Sequence, residues 1–295
     1  MRDFYFERGK ERIHAVHFPV EDKVASILLI HGISEHIMRY EDFAKFLNEN
    51  KIEVWGFDLR GHGLTAKSRE DLGDFKSENV LEDIVGDIRE IYLMMDDTKP
   101  RYIFGHSMGS FILKYYISQY DDFDKAVFSG TGELKEREGN ALYNISEIIN
   151  LFGKKRKSKL LYNLAVGKFA KAIKDRETDE DWISFNEDNI RAYNEDPLCG
   201  FGLANESYAA FGKSIVKIVN ADYSKTNKDL PMGFFSGKGD PVGNFSKAVV
   251  NEVERFKGLG FKNVELKLYD NMRHEILNEK DKDVVYKDIL EFLMK

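Results

Sequence analysis

Tyr102-Ile103-Phe104-Gly105-His106-Ser107-Met108-Gly109-Ser110 is the stretch on which the fold turns. It opens with a short apolar run, of the kind that forms a buried strand. It leads into Phe111–Tyr120, where apolar residues recur at helical spacing. Between strand and helix sits Gly-x-Ser-x-Gly. Alone the pattern is weak, but a strand–turn–helix setting gives it mechanical sense. A sharp turn there needs small residues on both sides, and it lifts the serine Oγ off the end of the sheet. The start of a helix also favours developing negative charge.

Working outward, the same strand–helix alternation holds on both sides. Ala25–Ile30 is a continuous apolar run ending at His31-Gly32, the pattern of a buried parallel strand. Tyr40–Asn50 carries a helical stripe of Phe43, Ala44, Phe46 and Leu47. Glu53–Leu59 reads as a strand closed by Arg60-Gly61-His62-Gly63, and Val80–Met95 as an amphipathic helix. Ala126–Ser129 is a further strand. The rhythm resumes with a strand at Phe234-Phe235, a helix at Lys247–Lys257, a strand at Val264–Tyr269 and a helix at Val284–Met294. At the N-terminus, Phe4–Phe6 and Ile13–Phe18 flank Arg8-Gly9-Lys10 and read as a half-exposed hairpin. The sum is an α/β fold with a mostly parallel central sheet flanked by helices.

Between residues 132 and 228 the alternation stops. Ala141–Phe152, Leu160–Ile173 and Tyr208–Val219 are all helix-like, and no strand is evident. The division expected is a core of residues 1–131 and 229–295, with a helical cap of residues 132–228 inserted before the strand that leads to Asp240. The cap carries a basic run, Lys154-Lys155-Arg156-Lys157-Ser158-Lys159.

A serine hydroxyl is a poor nucleophile until a base takes its proton, and the base needs an orienting partner. In this kind of fold the order is Ser, then Asp or Glu, then His. Asp240 follows the strand at Phe234-Phe235 within Gly239-Asp240-Pro241, and His274 follows the next strand within Met272-Arg273-His274-Glu275. Both would reach the carboxyl edge of the sheet, where sites of such folds lie. The bland readings are a turn aspartate and a solvated histidine. The oxyanion of an acyl intermediate needs two N–H donors, and Ile33 and Met108 are the candidates.

Composition removes other classes. The 295 residues carry 44 Lys+Arg against 51 Asp+Glu, a net charge of −7, and so lack the basic face of a nucleic-acid binder. The single cysteine, Cys199, excludes an intrachain disulfide framework and reads as a packed small residue. No His-Glu-x-x-His, cysteine cluster or phosphate loop is present, so neither a metal nor a nucleotide cofactor is expected. The N-terminus lacks a signal-like apolar core, and no apolar run approaches bilayer length. The expectation is a soluble, cytoplasmic protein.

Five segments together resemble one branch of the α/β-hydrolases. They are His31-Gly32-Ile33-Ser34-Glu35-His36 with Arg39-Tyr40, Gly56-Phe57-Asp58-Leu59-Arg60-Gly61-His62-Gly63, Gly105-His106-Ser107-Met108-Gly109, Asp240-Pro241-Val242-Gly243, and Arg273-His274-Glu275-Ile276-Leu277-Asn278-Glu279. The branch is that of the monoacylglycerol lipases and lysophospholipases, and the likeness extends into the cap at Asn194–Phe201. It implies Ser107 as nucleophile, His274 as base, Asp240 as its orienter, and a cap gating a lipid-accepting pocket. Leu142, Ile145, Leu164 and Phe169 are the cap residues expected near the substrate. Glu35, His36 and Arg39 are expected as a structural ionic cluster beneath the site loop.

The activity expected is hydrolysis of a single-chain acyl ester, monoacylglycerol first and lysophospholipid as the alternative. Cleavage of a peptide or C–C bond is a further enzymatic reading, since one triad serves many chemistries. A non-catalytic ligand-binding protein on the same fold is the rival of another class. The basic run reads either as a solvated loop or as a contact for an anionic membrane surface.

Overall fold

The computed structural model describes residues 1–295. Eight strands form one sheet: β1 (Arg2–Arg8), β2 (Glu11–Phe18), β3 (Ala25–Ile30), β4 (Ile52–Phe57), β5 (Arg101–His106), β6 (Lys125–Ser129), β7 (Met232–Gly237) and β8 (Val264–Tyr269). Their order is β1-β2-β4-β3-β5-β6-β7-β8; β2 runs antiparallel to both of its neighbours, β1 and β4, and every other pair is parallel. β3 and β5, in the middle, are buried along nearly their whole length. That is why both read as unbroken apolar runs rather than alternations.

The ten helices are α1 (Glu41–Glu49), α2 (Val80–Met94), α3 (Met108–Gln119), α4 (Glu136–Asn150), α5 (Lys159–Tyr162), α6 (Lys168–Ala172), α7 (Glu187–Glu195), α8 (Asn205–Val219), α9 (Lys247–Gly258) and α10 (Lys282–Met294). One face of the sheet packs on α2, α3 and α9, with α8 laid against α2 and α3, through a large apolar cluster that includes Leu28, Ile103, Phe128 and Phe234. The other face packs on α1 and α10 through Leu29, Phe104, Val127 and Tyr286. Two helical layers on a mostly parallel sheet are the expected architecture.

The hairpin departs from expectation. β2 is buried along six consecutive residues and only β1 is exposed. The alternation misleads because its polar members are buried with partners: His14 bonds Asp58 at 2.7 Å, and His17 lies 3.0 Å from Glu53.

Between β6 and β7 the chain is helical. The stripe at Leu160–Ile173 is helical without a break from Lys159 to Ala172, but not α-helical throughout. It runs as α5, a π-helical turn over Asn163–Gly167, and α6. Periodicity missed α7, whose nine residues are mainly acidic and amide side chains with Ile190 and Tyr193 alone buried. Asn186 caps its start. α8 contributes Tyr208, Ala210, Ile215 and Ile218 to the main core. α4 crosses α8 where Gly139 faces Gly212, and a Cβ on either would meet the other's carbonyl oxygen at 2.8–2.9 Å. Only glycine lets the two backbones come that close.

Candidate active site

Ser107 stands between β5 and α3 with φ 51° and ψ −120°, a conformation L residues rarely adopt. Its neighbours make the turn possible. A Cβ on Gly105 would strike the Gly109 carbonyl, and one on Gly109 would collide with the Ile30 carbonyl oxygen. Both glycines of the motif are thus required by backbone crowding. Ser107 N–H donates to the Ser129 carbonyl at 2.9 Å, which ties the elbow to β6.

The loop after β3 is held from several sides. Burial lowers the His31 pKa to about 3, so its ring is neutral. The ring accepts the Leu59 N–H at Nε2 (2.9 Å) and donates from Nδ1 to the Gly32 carbonyl (2.7 Å). Gly32 N–H donates to Glu35 Oε1 at 2.6 Å. Residues of the helical insert brace the next position: Tyr193 Oη and Gly200 N–H both donate to the Ser34 carbonyl at 3.0 Å. The Ile33 and Met108 N–H groups donate to no group of the chain. Both residues line a cavity together with Ser107.

Asp240 and His274 meet at this edge. His274 Nδ1 lies 3.0 Å from Asp240 Oδ2, and both side chains are buried. Burial alone would disfavour a charged imidazole. The carboxylate of Asp240 outweighs it, and the His274 pKa is raised above its ordinary 6.5. Asp240 Oδ1 accepts the Val242 N–H at 2.8 Å. Ser107 Oγ makes no hydrogen bond within the chain. His274 is packed between His106 and Trp182, with ring centroids 4.7 and 4.9 Å away. Burial holds His106 well below the usual histidine range and therefore neutral.

The cavity measures about 600 Å³ and is mainly apolar. Leu142, Ile145, Leu164 and Phe169, the four insert residues singled out in the sequence, all line it. Sequence reading missed Phe111, Trp182, Phe211 and Phe245, which also line it. Trp182 lies outside any periodic stripe, in a short 3-10 turn. Its one signal is rarity, since the chain has two tryptophans. The basic run takes no part in the lining. Lys155 is held at 2.6 Å by both Asp74 and Glu206, and Lys157 lies over the Phe201 ring.

The Glu35–His36–Arg39 group is split in two. Arg39 bonds Glu35 and Glu275, whereas His36 turns away to Asp196 at 2.8 Å. His36, Asp196 and Cys199 bring three donor atoms within 4.8 Å of one another. Burial pushes the Cys199 thiol far up, which keeps it protonated. No helix is long and apolar enough to cross a membrane.

Comparison with known proteins places the chain in a family. The model of the Hydrolase_4 family, described as serine aminopeptidase S33, matches residues 21–281. A monoacylglycerol lipase of Mycolicibacterium smegmatis is 26% identical over 97% of this chain and 94% of its own. The phospholipase YtpA of Bacillus subtilis is 22% identical over 90% of this chain and 93% of its own. Among solved structures, a thermostable carboxyl esterase from Bacillus coagulans, in complex with glycerol, superposes with TM-score 0.87 at 26% identity. That match covers 99% of this chain and 97% of the esterase.

Proposed function

Because the chain belongs to the Hydrolase_4 (serine aminopeptidase S33) family, and is a serine ester hydrolase resembling monoacylglycerol lipases and lysophospholipases, we propose that it cleaves monoacylglycerols through Ser107, His274 and Asp240. The observation that carries this reading is the cavity. One apolar chamber contains the strained serine, two free N–H groups, and the turn that follows Asp240. At about 600 Å³ the chamber falls within the roughly 300–1,000 Å³ range of pockets that enclose a small organic ligand. That suits one long acyl chain with a small head group.

In the proposed reaction His274 Nε2 takes the Ser107 hydroxyl proton as Oγ attacks the ester carbonyl carbon. The oxyanion rests on the Ile33 and Met108 N–H groups. Collapse breaks the bond to glycerol, and His274 returns the proton to the departing oxygen. Water, activated by the same imidazole, then releases the fatty acid. Residues 132–228 act as the cap over the chamber. Its crest, with Leu151 83% and Phe152 74% exposed beside Lys154 and Arg156, is the part that would meet a lipid surface.

Lysophospholipid is the second reading, and the YtpA similarity favours it. Hydrolysis of a monoacylglycerol and a lysophosphatidylcholine of equal chain length, each with Ser107→Ala as control, separates the two. Preference for the glycerol ester supports the proposal. Preference for the phospholipid replaces it with the second reading, and cleavage of short esters alone removes the lipid assignment.

A further inference from the structure

Arg39 lies outside the cavity and outside the proposed catalytic set, yet its side chain is only 9% exposed. Its guanidinium is used on every side. It donates two parallel hydrogen bonds to the Glu275 carboxylate, at 2.5 and 2.7 Å, and a third to Glu35 Oε2 at 3.2 Å. It donates a fourth to Asn189 Oδ1 at 2.9 Å, and its plane lies 4.9 Å from the Tyr193 ring. Asn189 and Tyr193 belong to α7. Asn189 Nδ2 closes the ring by donating to Glu275 Oε2 at 2.7 Å.

These partners sit one step from the groups assigned to the chemistry. Glu35 accepts the Gly32 N–H, in the peptide before Ile33. Glu275 follows His274 in the chain. A buried arginine among two carboxylates is costly to desolvate unless its fork is filled, and here it is filled. Arg39 holds Glu275 down to about 2, while burial keeps Glu35 above its usual range.

We propose that Arg39 is a positioning residue that fastens the oxyanion loop, the His274 loop and α7 to one another, so that the Ile33 N–H and the His274 imidazole stay in register. On this view α7 completes the site as well as covering it. The inference rests on the catalytic reading above.

The test uses Arg39→Gln, Arg39→Lys and Asn189→Ala in the full chain, with a soluble short-chain ester and a fluorophosphonate probe. Arg39→Gln is expected to lower kcat about 10- to 100-fold, the scale of an ångström-sized misplacement, with KM changed less than about threefold. Probe labelling slows in parallel. His274 faces the anions of Asp240, Glu275 and Glu35 and the neutral His106, and the cation of Arg39 is paired with two of those anions, Glu35 and Glu275. Removing that cation favours the imidazolium, so the acid limb of kcat/KM moves to higher pH. Arg39→Lys restores the charge but not the fork. It is expected to return the limb towards the wild-type position while kcat stays low. Asn189→Ala keeps the Arg39–Glu275 pair and loses a few-fold in kcat; it and the lysine variant carry the test if Arg39→Gln does not fold.

Wild-type kcat in folded Arg39→Lys and Asn189→Ala overturns the proposal. So does a loss that only follows a lowered Tm, with the pH profile unmoved. Failure of the wild-type protein itself to label at Ser107 overturns the catalytic reading instead.

Discussion

The sheet and the helical insert solve opposite problems. Around Ser107 the backbone is wedged against backbone: Gly109 against Ile30, Gly105 against Gly109, Ser107 against Ser129. Across the cavity the contacts are made by side chains on α4 and α8, on the helical stretch interrupted by a π-helical turn, and on loops. A site that must hold reacting atoms in place gains from the first arrangement. A site that must accept a long, flexible acyl chain gains from the second. Rigid chemistry and tolerant recognition thus come from different parts of one chain.

The comparison can be broken most severely at the serine. Ser107→Ala is expected to lower ester turnover by about 10⁴-fold or more. It should also abolish fluorophosphonate labelling, with an unchanged circular dichroism spectrum. Asp240→Asn should leave the serine present but the imidazole mis-oriented, at a cost in kcat of up to about 10⁴-fold. A near-wild-type rate would hand the orienting role to another carboxylate.

Gly109→Ala tests the backbone side of the contrast without touching a catalytic atom. Its Cβ has no room beside the Ile30 carbonyl, so a loss of about 1–3 kcal/mol in denaturant unfolding is expected. By contrast, Ile145→Ala and Phe169→Ala, which line the cavity from the insert, should spare short-ester kcat. They should raise KM for long-chain substrates, on a scale of about 0.8 kcal/mol per methylene left unburied.

The mildest expectation concerns pH. In the proposed role of base, His274 must be neutral, and its pKa is raised by Asp240 against the opposing effect of burial. Activity should therefore fall as pH drops through a value above 6.5, and that acid limb should disappear from the residual rate of Ser107→Ala.

The same contrast explains what the sequence could say. Strand β3 and helix α2 were readable almost to the residue, because burial on a parallel sheet imposes unbroken apolar runs and regular stripes. The strand-end positions of Ser107 and Asp240 were readable because their turns leave marks in glycine and proline, and that of His274 because it follows the last strand in the expected chain order. The insert leaves weaker marks. Helix α7 is polar on most of its surface, and what fixes it is its ring of bonds to Arg39 and Glu275, made across long gaps in the chain. The exposed alternation of the N-terminal hairpin failed for a related reason: His14 and His17 are buried because distant carboxylates meet them. Pairing across the fold is invisible to periodicity.

The glycine-to-glycine crossing of α4 and α8 has one more consequence. Helix α4 supplies Leu142 and Ile145 to the chamber, while α8 is anchored in the main core. A methyl group at Gly139 or Gly212 would act as a wedge between two helices that both line the chamber, although neither glycine lines it. The width of the chamber thus depends on hydrogen atoms at two positions outside its lining, and a laboratory seeking a roomier chamber could begin there.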